Sequence, residues 1–81
     1  MTLLDMDEGE LAQIDTLTAD AVVTRRLHAL GLRAGKTVRF VRAGPFAGPL
    51  LIEDPATGAR LMIARDMAEK IEVRGAPHKK T

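Results

Sequence analysis

The sequence predicts a mainly β domain, a small, partly open antiparallel barrel of about five short strands with one inserted α-helix. Three observations predict it. Apolar stretches with a period near two recur from Glu10 to Val73, separated by turns rich in glycine and proline. Only one segment, Asp20 to Leu30, carries helical spacing, with Val23, Leu27 and Leu30 at i, i+4 and i+7. Several short strands at this interval suit a barrel or a sandwich, and 81 residues favour the barrel.

Residues 3–9 read as a lead-in ending in a turn at Gly9. Glu10 to Leu17 is the first strand, with Ala12, Ile14 and Thr16 facing one way and Leu11, Gln13 and Asp15 the other. Thr18 or Asp20 can cap the helix, since both carry an acceptor oxygen. Val23, Leu27 and Leu30 form the buried stripe. Gly31 stops the helix in a left-handed conformation that only glycine adopts cheaply, and Leu32 folds back onto Leu27 in a Schellman ending. Arg33-Ala34-Gly35-Lys36 suits a type II turn with Gly35 at its positive-φ position. Leu27, Leu30, Gly31 and Gly35 are thus the structural anchors of the unit.

The second strand runs from Lys36 to about Arg42, with Val38 and Phe40 on one side and Thr37, Arg39 and Val41 on the other. Gly44 to Pro49 holds two glycines and two prolines and reads as a loop. Leu50 to Asp54 is the third strand, Asp54-Pro55-Ala56-Thr57-Gly58 a hairpin turn, and Ala59 to Ala64 the fourth strand with Leu61 and Ile63 inward. Arg65 to Lys70 suits one helical turn, and Ile71 to Val73 a last short strand. The barrel domain is expected over residues 1–74 and a disordered tail over 75–81.

Composition narrows the function. A core of this size leaves about 3–5 kcal/mol of net stability without staples, and there is no cysteine to supply a disulfide or thiolate metal site. No apolar run reaches membrane-spanning length, and acids occupy the N-terminus where a signal peptide carries bases, so a cytoplasmic protein without membrane insertion is expected. Serine, cysteine, tyrosine, tryptophan and asparagine are all missing, which removes most nucleophiles and most aromatic docking groups. The net charge is +1, yet residues 1–20 hold six acids and no base, and residues 25–42 six bases and no acid. Either the two segments offset each other, or the second forms a basic face for an acidic partner.

Gly31 to Thr37 resembles a phosphate-binding loop, but three residues rather than four separate its glycines, and a strand rather than a helix follows the lysine. His28 falls on the solvent side of the helix and His78 in the tail, so no metal-ligand set is visible. Two docking surfaces remain. One is the helix flank formed by Val22, Arg26 and Ala29 with Arg25 further round, small apolar residues edged by arginines. The other is the Pro45–Pro49 loop, where Phe46 stands at the tip or plugs an end of the barrel. The candidate partner-binding residues are therefore Val22, Arg25, Arg26, Ala29, Pro45, Phe46 and Pro49. A rival reading, a nucleic-acid-binding barrel, would use Arg25, Arg26, Arg33, Lys36, Arg39 and Arg42.

The order Arg26-Leu27-x-x-Leu30-Gly31-Leu32-x-x-Gly35, then Val38-x-Phe40-x-Arg42, then Pro45-x-x-Gly48-Pro49, and finally Ala64-Arg65-x-x-x-Ala68-x-x-Ile71-x-Val73, resembles the FeoA family of ferrous iron transport proteins. The resemblance covers Gly9 to Val73. Ala34 stands where the family often has proline, a change the turn tolerates. The resemblance implies an SH3-like barrel and a non-enzymatic cytoplasmic partner of FeoB, the membrane GTPase that imports ferrous iron. It also implies likeness to the SH3-like regulatory module of iron-dependent repressors. These 81 residues hold no DNA-reading helix pair, so the accessory reading is preferred and no nucleic acid is expected. Iron enters through the resemblance only, and weak self-association is compatible with it.

Overall fold

A computed structural model describes residues 1–75 and places five strands in one antiparallel sheet. They are β1 (Leu11–Leu17), β2 (Thr37–Ala43), β3 (Leu50–Glu53), β4 (Arg60–Ile63) and β5 (Ile71–Gly75). Between β1 and β2 lies α1 (Ala21–Ala29), and before β5 the single-turn α2 (Arg65–Ala68). The sheet order is β4-β3-β2-β1-β5, so the chain meanders from β1 to β4 and β5 returns beside β1. Each strand begins or ends within two residues of its expected bounds. The last strand runs through Gly75, which pairs with Ala12, and the remainder of the expected tail lies outside the described residues.

The period-two alternation decides what the sheet buries. Ala12 and Ile14, Val38 and Phe40, Leu50 and Ile52, Ile63, and Ile71 and Val73 form the inner face, all withdrawn from solvent. Thr16 does not continue the inward row expected of it and is exposed. The register of β1 against β5 shifts between Ile14 and Thr16, and a similar irregularity separates Phe40 from Arg42 on β2. Such bulges turn the following side chains and bend the strand.

The lead-in is part of the core. Leu3–Asp5 forms a 3₁₀ turn capped by Thr2, whose side chain accepts from the Leu4 N–H while Asp5 accepts from the Thr2 N–H. This turn buries Leu3 and Met6, and the Val73 N–H donates to the Met1 carbonyl, covering the free edge of β5.

The helix ends as its sequence dictates. Asp20 is the cap and its Oδ1 accepts from the Val23 N–H at 2.9 Å, while the other candidate, Thr18, donates its hydroxyl to the Lys70 carbonyl. At the other end the Leu32 N–H donates to the Leu27 carbonyl and the Gly31 N–H to that of His28, the two bonds of a Schellman motif. Gly35 has φ 92° and the Lys36 N–H donates to the Arg33 carbonyl, closing the second turn. On the helix one expectation fails. Leu27 is wholly buried and Val23 packs partly beside it, but Leu30 is 46% exposed. The helix stops at Ala29 and the chain reverses at Gly31, so Leu32, 3% exposed, takes the core position that the helical period assigned to Leu30.

Candidate partner-binding surface

Helix α1 turns Leu27 inward and leaves the opposite side bare. Val22 is 60% exposed, and with Arg26, Ala29 and Leu30 it makes a strip at i, i+4, i+7 and i+8. Arg25 stands on the far side of this strip, also exposed. Among the described residues, Arg25, Arg26, Arg33 and Arg42 form no ion pair with a carboxylate. Of the six cations that a nucleic-acid surface would use, Lys36 and Arg39 are already paired, with Asp54 and Glu53.

Leu30 joins this strip to a cleft of about 170 Å³ between the end of α1 and the β3–β4 hairpin. Leu30, Gly31 and Leu32 line one side, Ile52 and Leu61 the sheet side, and Lys36, Asp54, Ala59 and Arg60 complete the lining. Each of its charges has a partner, within the lining or beside it. Lys36 Nζ lies 2.6 Å from Asp54 Oδ2, and Glu53 meets Arg39 Nε at 3.3 Å and Arg60 Nε at 3.5 Å. The hydrogen bond from Lys36, seconded by the Ala56 N–H, holds the Asp54 carboxyl below the usual carboxylate range. No local pattern announces this cleft. Lys36 and Asp54 are 18 positions apart, and only the β2–β3 pairing brings them together.

The Gly44–Pro49 loop is a tight, preset structure. The Gly44 N–H donates to the Pro49 carbonyl and the Gly48 N–H to the Pro45 carbonyl. Phe46 and Ala47 both have positive φ, 56° and 59°, as a type I′ turn requires of its two central residues. Phe46 is fully exposed and thus stands at the tip, not in the end of the barrel. This loop enters β3 at Leu50, whereas the cleft lies at the Glu53–Asp54 end, roughly 10 Å along the strand. Of the α1 strip only Leu30 reaches the cleft, with Val22, Arg26 and Ala29 further along the helix, and Pro45, Phe46 and Pro49 lie at the opposite end of β3.

Among the described residues, no three of histidine, aspartate and glutamate come together as a metal site, and His28 is exposed on α1. The donors present therefore do not fit a resident iron; His78 lies outside the described residues. No helix among the described residues is long and apolar enough to cross a membrane.

The FeoA domain family matches residues 1–75. Comparison with curated protein sequences gives no match. Among solved structures, a FeoA protein from Chlorobium tepidum is 29% identical with a TM-score of 0.84, over 99% of this chain and 74% of that one. The crystal structure of an iron uptake regulatory protein, FeoA, is 23% identical with a TM-score of 0.79, over 94% of this chain and 99% of that one. The repressor ScaR with bound Zn2+ gives 24% identity and a TM-score of 0.82, but this chain spans only 37% of it, and the likeness is one of fold. The fold is the SH3-like barrel that the sequence resemblance implies.

Proposed function

The chain belongs to the FeoA domain family, and we propose that it serves ferrous iron uptake as a non-catalytic cytoplasmic accessory that binds a FeoB-type membrane GTPase. The observation that carries this reading is the bare flank of α1. Val22, Ala29 and Leu30 offer apolar contact, and Arg25 and Arg26 stand beside them without carboxylate partners among the described residues. Arginines next to small apolar residues are well suited to protein contact, because the guanidinium can be shielded without a large desolvation cost while the apolar strip supplies area. The Pro45–Pro49 loop is a second contact in this reading. Iron is then the transporter's cargo and not a group held here.

Binding of the isolated cytosolic part of FeoB to the full chain tests the proposal. Charge reversal of Arg25 and Arg26 to Glu is expected to weaken binding at least tenfold with the circular dichroism unchanged, since like-charge contacts at an interface cost several kcal/mol. Binding of equal strength to wild type and to that double variant would remove α1 from the interface.

A further inference from the structure

We propose that a second copy of this chain docks by seating its Phe46 ring in the cleft between the end of α1 and the β3–β4 hairpin. Both halves of the contact are present on one molecule. The ring is fully exposed, on a loop fixed by two internal hydrogen bonds and flanked by Pro45 and Pro49, so little freedom is lost when it is captured. The cleft has about 170 Å³, with apolar walls from Leu30 and Leu61 above a floor of the buried Leu32 and Ile52. A closed apolar cavity of about 150 Å³ admits benzene, so this open cleft matches one phenyl ring in size.

Charge selects the same occupant. The Gly44–Pro49 loop carries no ionisable group, and each charge lining the cleft already has a partner, Lys36 in Asp54 and Arg60 in Glu53, which Arg39 shares. An uncharged loop can close over that rim without leaving an ion buried and alone, whereas an incoming charged segment would compete with the existing pairs. The loop and the cleft sit at opposite ends of β3, so the ring cannot enter the cleft of its own molecule. The contact therefore lies between copies, and two copies related by a two-fold axis can each seat the other's ring.

The test needs the full chain alone, so it is independent of the transporter reading. Sedimentation equilibrium up to about 1 mM is expected to give a mass that rises with concentration from that of a monomer to at least that of a dimer. Phe46→Ala, which keeps the cleft, and Leu30→Glu, which keeps the ring, are each expected to stay monomeric. Both positions are exposed, and Ala59→Trp blocks the cleft from the hairpin side should Leu30→Glu unfold. Mixed in equal amounts, Phe46→Ala and Leu30→Glu are expected to pair one to one and stop there. Isotope-labelled Phe46→Ala should then show amide shifts at Leu30–Leu32, Lys36, Ile52 and Leu61. A wild type that remains monomeric throughout overturns the proposal and leaves the cleft to a different protein's side chain. Association that survives Phe46→Ala, or complementary variants that stay apart while the wild type assembles, overturns it equally.

Discussion

Leu27 and Leu30 show how much a single side chain's surroundings decide. They are three residues apart, chemically identical, and on the same stripe by helical period. Leu27 is wholly buried against the inner face of the sheet, and Leu30 is nearly half exposed beyond the last turn. Truncating Leu27 to Ala leaves a cavity and should cost about 2–5 kcal/mol, comparable to the entire stability of so small a domain. Leu30→Ala should cost less than about 1 kcal/mol. Urea midpoints followed by circular dichroism separate the two, and equal losses would mean that Leu30 is buried in solution. Gly31 makes a different residue-scale case. A Cβ there meets nothing within 4 Å, so Gly31→Ala adds no clash, but its φ of 89° is left-handed and the change should still cost about 1–2 kcal/mol. An effect near zero would show that the helix end has re-formed with another cap.

At the level of elements, what was legible in the sequence is what is encoded within a few residues. The helix cap, the Gly31 stop and the Gly35 turn are each written in one residue of special conformation or hydrogen-bonding capacity; both glycines stand where they were read, and of the two caps offered, Thr18 and Asp20, Asp20 is the one used. The inserted helix and five strands follow from period. What escaped depends on contacts across the chain. The 3₁₀ turn at Leu3–Asp5 reads as a lead-in because its apolar residues are too few in a row to show a period, and only the neighbouring β5 shows why Leu3 and Met6 are needed. The candidate site divides the same way. The exposed flank of α1 could be read from a helical wheel, but the cleft beside it depends on Lys36 meeting Asp54, and the Phe46 turn defied its own residue types. Phenylalanine and alanine are poor choices for two consecutive positive-φ positions, where Asn-Gly is ordinary. Replacing them as Phe46→Asn with Ala47→Gly should therefore raise stability by about 1–2 kcal/mol, while abolishing any contact that needs the ring. A thermal midpoint that falls instead would mean that the loop is held by interactions of Phe46 within the domain.

For the molecule as a whole, the Lys36–Asp54 pair matters beyond its own strength. It joins the turn after α1 to the far end of β3, and so ties the helix to the side of the barrel where the cleft opens. Both side chains are partly exposed, which limits what the pair contributes and makes it sensitive to salt. Its pH dependence has a definite sign. The carboxyl of Asp54 is held below its ordinary 3.8 in the folded chain, chiefly by the hydrogen bond from Lys36. The folded state thus binds its proton less readily than the unfolded one. The stabilisation is complete above the unfolded value and is lost as pH falls through the lowered folded value. Lys36→Met removes the chief cause of the shift. The stability difference between wild type and Lys36→Met, measured by urea unfolding from about pH 7 to about pH 2, should be constant down to about pH 4 and shrink steadily below it. Added salt should narrow the difference at neutral pH and have little effect on what remains in acid, where Asp54 is neutral. A difference that persists undiminished at the acid end would assign the role of Lys36 to the packing of its methylene stem against the cleft and not to its charge.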